Sequence, residues 1–252
     1  DADYIATGHY ARVVHTEGKE SVMLRGVDNN KDQTYFLCQL NQNQLNNSLF
    51  PIGELTKPEV RRIAEELDLP VAHKKDSTGI CFIGERDFRE FLKNYIPAKS
   101  GKMVDIVSKK VIGEHQGIMY YTIGQRKGLG IGGNGEPWFV VGKDYDKNIL
   151  YIAQGDSNKW LLSHGALITD VNWISATKPE GEYDCTAKFR YRQRDNDVSL
   201  HFIDETTLYV TFKKPIKAVT PGQAAVFYDG DVCLGGGAID KVYKDGKEID
   251  YL

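Results

Sequence analysis

Cys81 is the side chain in this sequence with the strongest potential for covalent chemistry. It lies in a short apolar run between the turn-forming residues Ser77-Thr78-Gly79 and Gly84-Glu85. The nearest other cysteine along the chain is Cys38, which excludes a CxxC redox pair or a zinc knuckle here. Two interpretations remain open: a buried, inert thiol, which is a common state of free cysteine, or a reactive thiol presented at the end of a strand.

The residues just upstream of Cys81 favour the reactive interpretation. His73, Lys74 and Lys75 place positive charge near the thiol along the sequence. Positive charge lowers the pKa of a thiol and raises the fraction present as thiolate, which is the attacking form.

Two polar segments near the start of the chain are candidates for ligand contact. Thr7-Gly8-His9-Tyr10 follows a strand-like run, so Gly8 would let a ligand approach the backbone and His9 would lie on the rim of a sheet. The loop 28–34 runs into a short helix and offers a lysine, an amide and backbone N–H groups to phosphate or base edges. Each segment by itself is also what an ordinary surface turn or N-cap loop looks like.

A glycine-rich stretch, residues 120–133, combines two tyrosines with Arg126 and Lys127. It is not a Walker A loop, because no Lys-Ser/Thr pair ends it. Cations and aromatic side chains on a flexible backbone suit looped or single-stranded RNA. A glycine-rich hairpin with solvated cations has the same composition.

Four cations alternate along a later segment, at Lys188, Arg190, Arg192 and Arg194. Alternate residues of a strand point to one face, so this spacing predicts a cationic strand face. We interpret it as a phosphate-contacting surface, and the other interpretation is an edge strand protected by charge. Thr220-Pro221-Gly222-Gln223 then predicts a turn that leads into a strand headed by Gln223.

Composition limits the classes of function. The 252 residues carry a net charge of −3, so any nucleic acid would be bound by local basic patches. Four widely spaced cysteines indicate a reduced, cytoplasmic protein rather than a disulfide scaffold. No run approaches the length of a membrane span, so we expect no membrane partner.

The pattern of apolar residues predicts three domains. Residues 1–84 alternate strand and helix signals, including a capping box at Thr56-Lys57-Pro58-Glu59, as in an α/β domain. Residues 85–162 begin with a helix over Glu85 to Ile96 and continue as glycine-punctuated strands. Residues 163–252 contain short strands at near-regular spacing, which indicate a small β barrel. The predicted fold class is α/β plus β.

These segments occur together, and in one order, in a known family. The chain resembles the tRNA-specific 2-thiouridylases over essentially its whole length, through the strings Ala6 to Arg12, Lys31-Asp32-Gln33, Asp76 to Glu85, Thr122 to Arg126, Arg190 to Gln193 and Pro221-Gly222-Gln223. The resemblance implies the remainder of an adenine-nucleotide α-hydrolase-like (PP-loop) α/β domain, a small central mixed domain and a C-terminal tRNA-binding β barrel.

The resemblance also implies a reaction: ATP-dependent sulfur transfer to the wobble uridine of tRNA, through an adenylated intermediate and a cysteine persulfide. It makes Cys81 the persulfide cysteine and Gly8 a backbone contact to ATP, which would bind with Mg²⁺. It implies a sulfur-carrier protein as persulfide donor. The sequence assigns no residue to a metal and leaves open whether an iron–sulfur cluster takes part. Its tRNA contacts fall on His9, Lys31, Asp32, Gln33, Arg190, Tyr191 and Gln223.

Two parts of the family pattern are absent from this sequence, namely the phosphate-binding Ser-Gly-Gly-Val-Asp-Ser loop and a second catalytic cysteine. The chain also opens at Asp1 and enters at once a run, Tyr4 to Thr7, that reads as a buried strand. We therefore expect a fragment of a longer protein that is inactive by itself.

Two other classes of function fit parts of the sequence. One is an adenylating sulfurtransferase or amidotransferase that acts on a small molecule, although such a substrate needs no cationic segment like Lys188 to Arg194. The other is a non-catalytic RNA-binding module in which Cys81 only packs. The rate of alkylation of Cys81 separates a packing thiol from a reactive one.

Overall fold

The computed structural model describes residues 2–74, 91, 94–176 and 178–251. These residues form two compact units. The first contains the described residues of 1–74, 164–215 and 220–246, and the second contains those of 75–163, 216–219 and 247–252. Cys81, the short apolar run around it and most of the helix predicted over Glu85 to Ile96 lie outside the described residues.

The first part of the chain alternates short strands and helices, as its pattern predicts. The elements are β1 (Ile5–Ala6), β2 (Ala11–Val14), β3 (Val22–Arg25), α1 (Thr34–Leu37), α2 (Gln42–Asn46), β4 (Ser48–Leu49) and α3 (Lys57–Glu66). Strands β1 and β4 pair in parallel. The prediction that the Tyr4 to Thr7 run is buried is wrong for this structure, because among the described residues only β4 pairs with β1, and Ile5 is 67% exposed.

Helix α3 begins where its sequence predicts. The Thr56 side chain accepts a hydrogen bond from the backbone N–H of Glu59, and the Glu59 carboxylate accepts one from the backbone N–H of Thr56. This capping box satisfies N–H groups that the first turn of a helix leaves unpaired. After this helix the apolar pair Val71-Ala72, whose residue types predict an extended segment, lies instead in a turn.

A closed six-stranded barrel forms the body of the first unit. Its strands are β9 (Leu162–Trp173), β10 (Glu182–Lys188), β11 (Asn196–Phe202), β12 (Leu208–Lys217), β13 (Ala224–Asp229) and β14 (Val232–Lys244). They pair in the order β13-β10-β11-β12-β9-β14, and β14 closes on β13. Inward residues such as Val198, Leu200 and Val210 are fully buried.

The β2–β3 hairpin joins the barrel sheet instead of the β1–β4 pair. Strand β3 pairs antiparallel with β14 at Leu24 and Val232, and the backbone N–H of Arg25 donates to the Asp231 carbonyl at 2.9 Å. One core spans both parts, containing Met23 and Leu45 from the first segment with Val226 and Tyr228 from the barrel. Packing therefore unites the start of the chain with the barrel.

The second unit has its own sheet and core. Strands β5 (Gly101–Asp105), β6 (Val111–His115), β7 (Trp138–Asp144) and β8 (Ile149–Gln154) pair in the order β6-β5-β8-β7. Their inward residues pack with aromatic side chains of the segment 118–123. Two 3-10 helices (Ile118–Tyr120 and Lys159–Leu161) and β15 (Lys247–Glu248) complete the described elements.

Candidate RNA-binding face

Hydrogen bonds join four loops that are far apart in the sequence: residues 8–10, 28–33, 189–195 and 220–223. We call their joint surface the four-loop face. The last two loops lie at the same end of the barrel, because Lys188 at the end of β10 pairs with Val226 near the start of β13. The first two loops lie against that end through the shared core. All of the residues predicted to contact RNA lie in these four loops.

Gln33 ties the second loop to the first. The backbone N–H of Tyr10 donates to Gln33 Oε1 at 3.0 Å, and the backbone N–H of Gln33 donates to the Tyr10 carbonyl at 2.9 Å. His9 lies beside this joint, with Nδ1 2.8 Å from the Thr7 hydroxyl and its ring edge-on to Phe50. His9 and Gln33 are therefore neighbours on the face.

Asp32 is buried, with 5% of its surface exposed. Its Oδ1 accepts hydrogen bonds from the backbone N–H groups of Gly26 and Thr34 and from the Thr34 hydroxyl, and Lys188 Nζ lies 3.8 Å from Oδ2. These groups compensate the desolvation of the carboxylate. This burial argues against direct contact of the Asp32 side chain with RNA and gives it a role in holding the loop.

Tyr191 ties the third loop to the second, and Arg190 ties it to the fourth. The Tyr191 hydroxyl donates to the Lys31 carbonyl at 3.3 Å. Arg190 Nη2 lies 3.4 Å from the Thr220 hydroxyl. Burial lowers the pKa of the Arg190 guanidinium, and the nearby Tyr35 partly offsets this. A partly desolvated guanidinium interacts strongly with an anion that reaches it.

The fourth loop forms the predicted turn. The backbone N–H of Gln223 donates to the Thr220 carbonyl at 3.4 Å, and Gly222 has φ of +80°. Proline followed by a residue with positive φ is typical of a type II turn, which explains the glycine. Gln223 directly precedes β13, and its carbonyl accepts a hydrogen bond from the Ile239 N–H.

The predicted cationic strand face is wrong, because β10 ends at Lys188 and the chain then turns. Gln193 closes this turn: its Oε1 accepts from the Phe189 N–H at 2.8 Å, and its own N–H donates to the Arg190 carbonyl. The four cations therefore do not share one strand face. Lys188 is buried and Arg190 is half-buried, whereas Arg192 and Arg194 are exposed.

An aromatic cluster lies beside these cations, and the sequence pattern missed one member. Phe36 in α1 is 57% exposed, and its ring centroid is 4.5 Å from that of Tyr191. Tyr35 is buried beneath them, and its hydroxyl donates to the Ala224 carbonyl. The only signal for Phe36 was its place three residues after the Lys31-Asp32-Gln33 string.

The described cysteines are poor nucleophiles. Burial raises the pKa of Cys38 to about 11 and that of Cys185 to about 12. Burial also raises the pKa of Cys233, which is fully enclosed. Thiols with raised pKa values carry little thiolate near neutral pH. Cys81 lies outside the described residues, so its assignment stays a prediction.

Gly8 follows the carboxyl end of β1, which is where α/β sheets bind ligands. A Cβ at this position would meet no atom within 4 Å, so the backbone is open to a ligand. This fits one backbone contact to a nucleotide.

Within the described ranges, no cluster of His, Cys, Asp and Glu side chains is arranged to hold a metal ion.

The glycine-rich stretch belongs to the second unit. Arg126, Glu136 and Trp138 line a groove of about 460 Å³ there, together with backbone of the intervening glycines.

In the part of the chain that the structure describes, no helix has the length and apolarity needed to cross a membrane.

Family models match three successive parts of the chain. They are described as a tRNA methyl transferase HUP domain over residues 1–85, a tRNA methyl transferase PRC-barrel domain over residues 89–154, and an aminomethyltransferase β-barrel domain over residues 163–239. These matches, with the barrel described above, confirm the predicted fold class.

Curated relatives match over the full chain. The tRNA-specific 2-thiouridylase MnmA of Bacillus cytotoxicus is 60% identical over 251 residues, which cover 100% of this chain and 67% of the relative. The proteins of the same name from Bacillus cereus and Bacillus thuringiensis are 59% identical with the same coverage. At this identity the resemblance seen in the motifs is confirmed, and the chain belongs to the tRNA-specific 2-thiouridylase family.

Proposed function

We propose that this chain binds tRNA at the four-loop face and provides the sulfur-carrying cysteine for 2-thiolation of the wobble uridine. The observation that supports this most is the hydrogen-bonded chain of contacts from Tyr10 to Gln33, from Lys31 to Tyr191 and from Arg190 to Thr220. A packing role alone does not require four distant loops with cations, amides and the half-buried Tyr191 ring to meet.

The face suits an unpaired RNA loop better than a duplex. Sequence-specific RNA recognition relies on splayed bases that stack on aromatic rings and bond to polar side chains. Tyr191 offers a ring, Gln223 an amide, and Lys31 and Arg192 positive charge for phosphates. Asp32 supports the loop from within, and His9 lies on the side nearest Gly8.

In the proposed reaction the adenylyl group of ATP is transferred to the uridine oxygen at C2 with release of pyrophosphate, which activates C2 for attack. The Gly8 backbone would contact the ATP, which would bind with Mg²⁺. A sulfur-carrier protein passes its terminal sulfur to the Cys81 thiol, giving a persulfide and the carrier's free thiol. The terminal persulfide sulfur attacks C2, and AMP leaves with the original oxygen. The second catalytic cysteine of the family pattern, which this sequence lacks, would then attack Cys81 and cleave the S–S bond. This leaves sulfur on the base and a disulfide between the two cysteines, which an external thiol reduces.

Binding of RNA by this chain tests the proposed face. An anticodon stem–loop with uridine at the wobble position is titrated against the chain, with a fully paired duplex of the same length as control. We expect tighter binding of the stem–loop, and weakening by Tyr191→Ala but not by Lys19→Ala, since Lys19 is exposed in the turn of the β2–β3 hairpin. Equal binding of both RNAs, or no effect of Tyr191→Ala, would contradict the proposal.

A further inference from the structure

We infer that Phe36 and Tyr191 form a stacking platform for one unstacked nucleobase of a bound RNA loop. The inference rests on the proposed function, because it assumes that the four-loop face binds RNA. It adds Phe36 as a binding residue and assigns a chemical class, a nucleobase, to one position on the face.

The Phe36 ring contributes little to the protein core. Its neighbour Tyr35 is buried, whereas Phe36 leaves 57% of its surface exposed. A single exposed apolar residue is common in proteins and has no meaning by itself. Here, however, the Phe36 ring lies beside the half-buried ring of Tyr191, with centroids 4.5 Å apart and planes inclined by 42°.

The two rings are held in place before any ligand arrives. The Tyr191 hydroxyl bonds to the Lys31 carbonyl, and the Tyr191 ring also packs against Tyr35 at 6.3 Å between centroids. Phe36 in turn meets the Tyr35 ring edge-on at 5.5 Å. A rigid aromatic surface loses little conformational entropy on binding, which favours stacking of a planar ligand.

The charge beside the platform selects a nucleotide rather than an apolar peptide. The guanidinium carbon of Arg192 lies 5.8 Å from the centroid of the Tyr191 ring, and Arg192 is exposed. A cation next to an aromatic surface can contact the phosphate of a nucleotide whose base stacks on that surface. Stacking tolerates any base, so the platform contributes affinity for an unpaired loop without selecting its sequence.

The test is fluorescence titration of this chain with the anticodon stem–loop carrying 2-aminopurine at successive loop positions. Stacking changes the emission of the analogue at one position when the wild-type chain binds. Phe36→Ala should weaken binding about fivefold or more and abolish that change, while the salt dependence stays the same because no charge is lost. Phe36→Tyr keeps the ring and should bind within about twofold of wild type.

The matched control is Ile203→Ala, which removes a 60% exposed apolar side chain. Ile203 directly follows β11, at the end opposite Asn196, which pairs with Ala187 near the third loop. This variant should leave RNA binding unchanged. Thermal unfolding of all variants monitors the fold, which an exposed Phe36 should affect little.

The outcomes separate this inference from the proposed function. If the wild-type chain binds the stem–loop but Phe36→Ala binds equally well, the platform is refuted and the RNA-binding face stands. If Phe36→Ala weakens duplex and stem–loop equally, the occupant is not an unstacked base. If the wild-type chain binds neither RNA, the proposed face fails together with the platform.

Discussion

The Lys188 ammonium lies 3.8 Å from the Asp32 carboxylate, and both side chains are buried. Asp32 comes from the loop that follows the β2–β3 hairpin, and Lys188 ends strand β10 of the barrel. The pair therefore connects the second loop to the strand that leads into the third loop, and it lies in the interior below both. Arg25 adds a second ion pair, because its Nη2 donates to the Asp195 carboxylate at 3.0 Å. The Arg25 guanidinium carbon also lies 3.7 Å from the centroid of the Tyr228 ring.

Breaking this pair should destabilise the chain. Asp32→Asn leaves the Lys188 charge buried without its closest anionic partner, so we expect the free energy of unfolding to fall by about 3 kcal/mol in urea denaturation. Asp231→Asn is the control, because Asp231 is exposed and pairs with Arg12 at the surface, and should cost less than about 1 kcal/mol. The double variant Asp32→Asn/Lys188→Met should recover much of the loss, since both members of the buried pair are then neutral. Equal effects of Asp32→Asn and Asp231→Asn would contradict the assignment.

Arg192 should carry part of the salt dependence of RNA binding. If its exposed guanidinium contacts one phosphate, Arg192→Ala lowers the slope of log affinity against log salt by about 0.7 to 0.9. Dissociation constants measured over a salt series give this slope, with Lys19→Ala as the control. A slope that Arg192→Ala leaves unchanged would place the phosphate contacts elsewhere.

The thiols should differ sharply in reactivity. With the pKa of Cys38 raised to about 11, about one molecule in a thousand carries that thiolate at pH 8. Alkylation by iodoacetamide, followed by mass spectrometry of peptides, should therefore label Cys38 and Cys185 slowly and Cys81 fast. Labelling of Cys38 at the rate of Cys81 would remove the chemical distinction on which the persulfide assignment depends.

His115 should make the stability of the second unit depend on pH. Burial lowers the pKa of His115, partly offset by its hydrogen bond to the Asn148 carbonyl. The unfolded state therefore takes up a proton at higher pH than the folded state, and stability is lost as pH falls below about 6.5. The free energy of unfolding should decrease in acid by up to about 1.4 kcal/mol per pH unit, and His115→Gln should remove this component. Parallel pH profiles of the two proteins would contradict it.

Local sequence signals predicted the elements that local interactions determine. The capping box at Thr56 and Glu59 and the turn at Thr220 to Gln223 both form as expected. The long strand β9 departs from the short strands that the pattern predicts, because its pairing with β14 shifts register twice and Asp170 adopts φ of +51°. Such bulges interrupt the period-two alternation on which strand prediction relies.

The candidate site depended on tertiary contacts that spacing cannot reveal. Lys188 to Arg194 alternates like a strand, but the Gln193 side chain bonds to the Phe189 N–H and turns the chain. Likewise, nothing in the Lys31-Asp32-Gln33 string indicates that its carboxylate points inward toward Lys188. Family resemblance identified the loops, and the structure separates their exposed residues from the buried one.

The most direct test of the account is thiolation by a chimaera in which this chain replaces the matching residues of the Bacillus cytotoxicus relative. The chimaera is incubated with ATP, a low-molecular-weight persulfide and a tRNA with uridine at the wobble position, and mass spectrometry measures exchange of oxygen for sulfur. We expect ATP-dependent 2-thiouridine with Cys81 present, and none with Cys81→Ser although tRNA still binds. Formation of 2-thiouridine at the same rate by the Cys81→Ser chimaera would contradict the central claim.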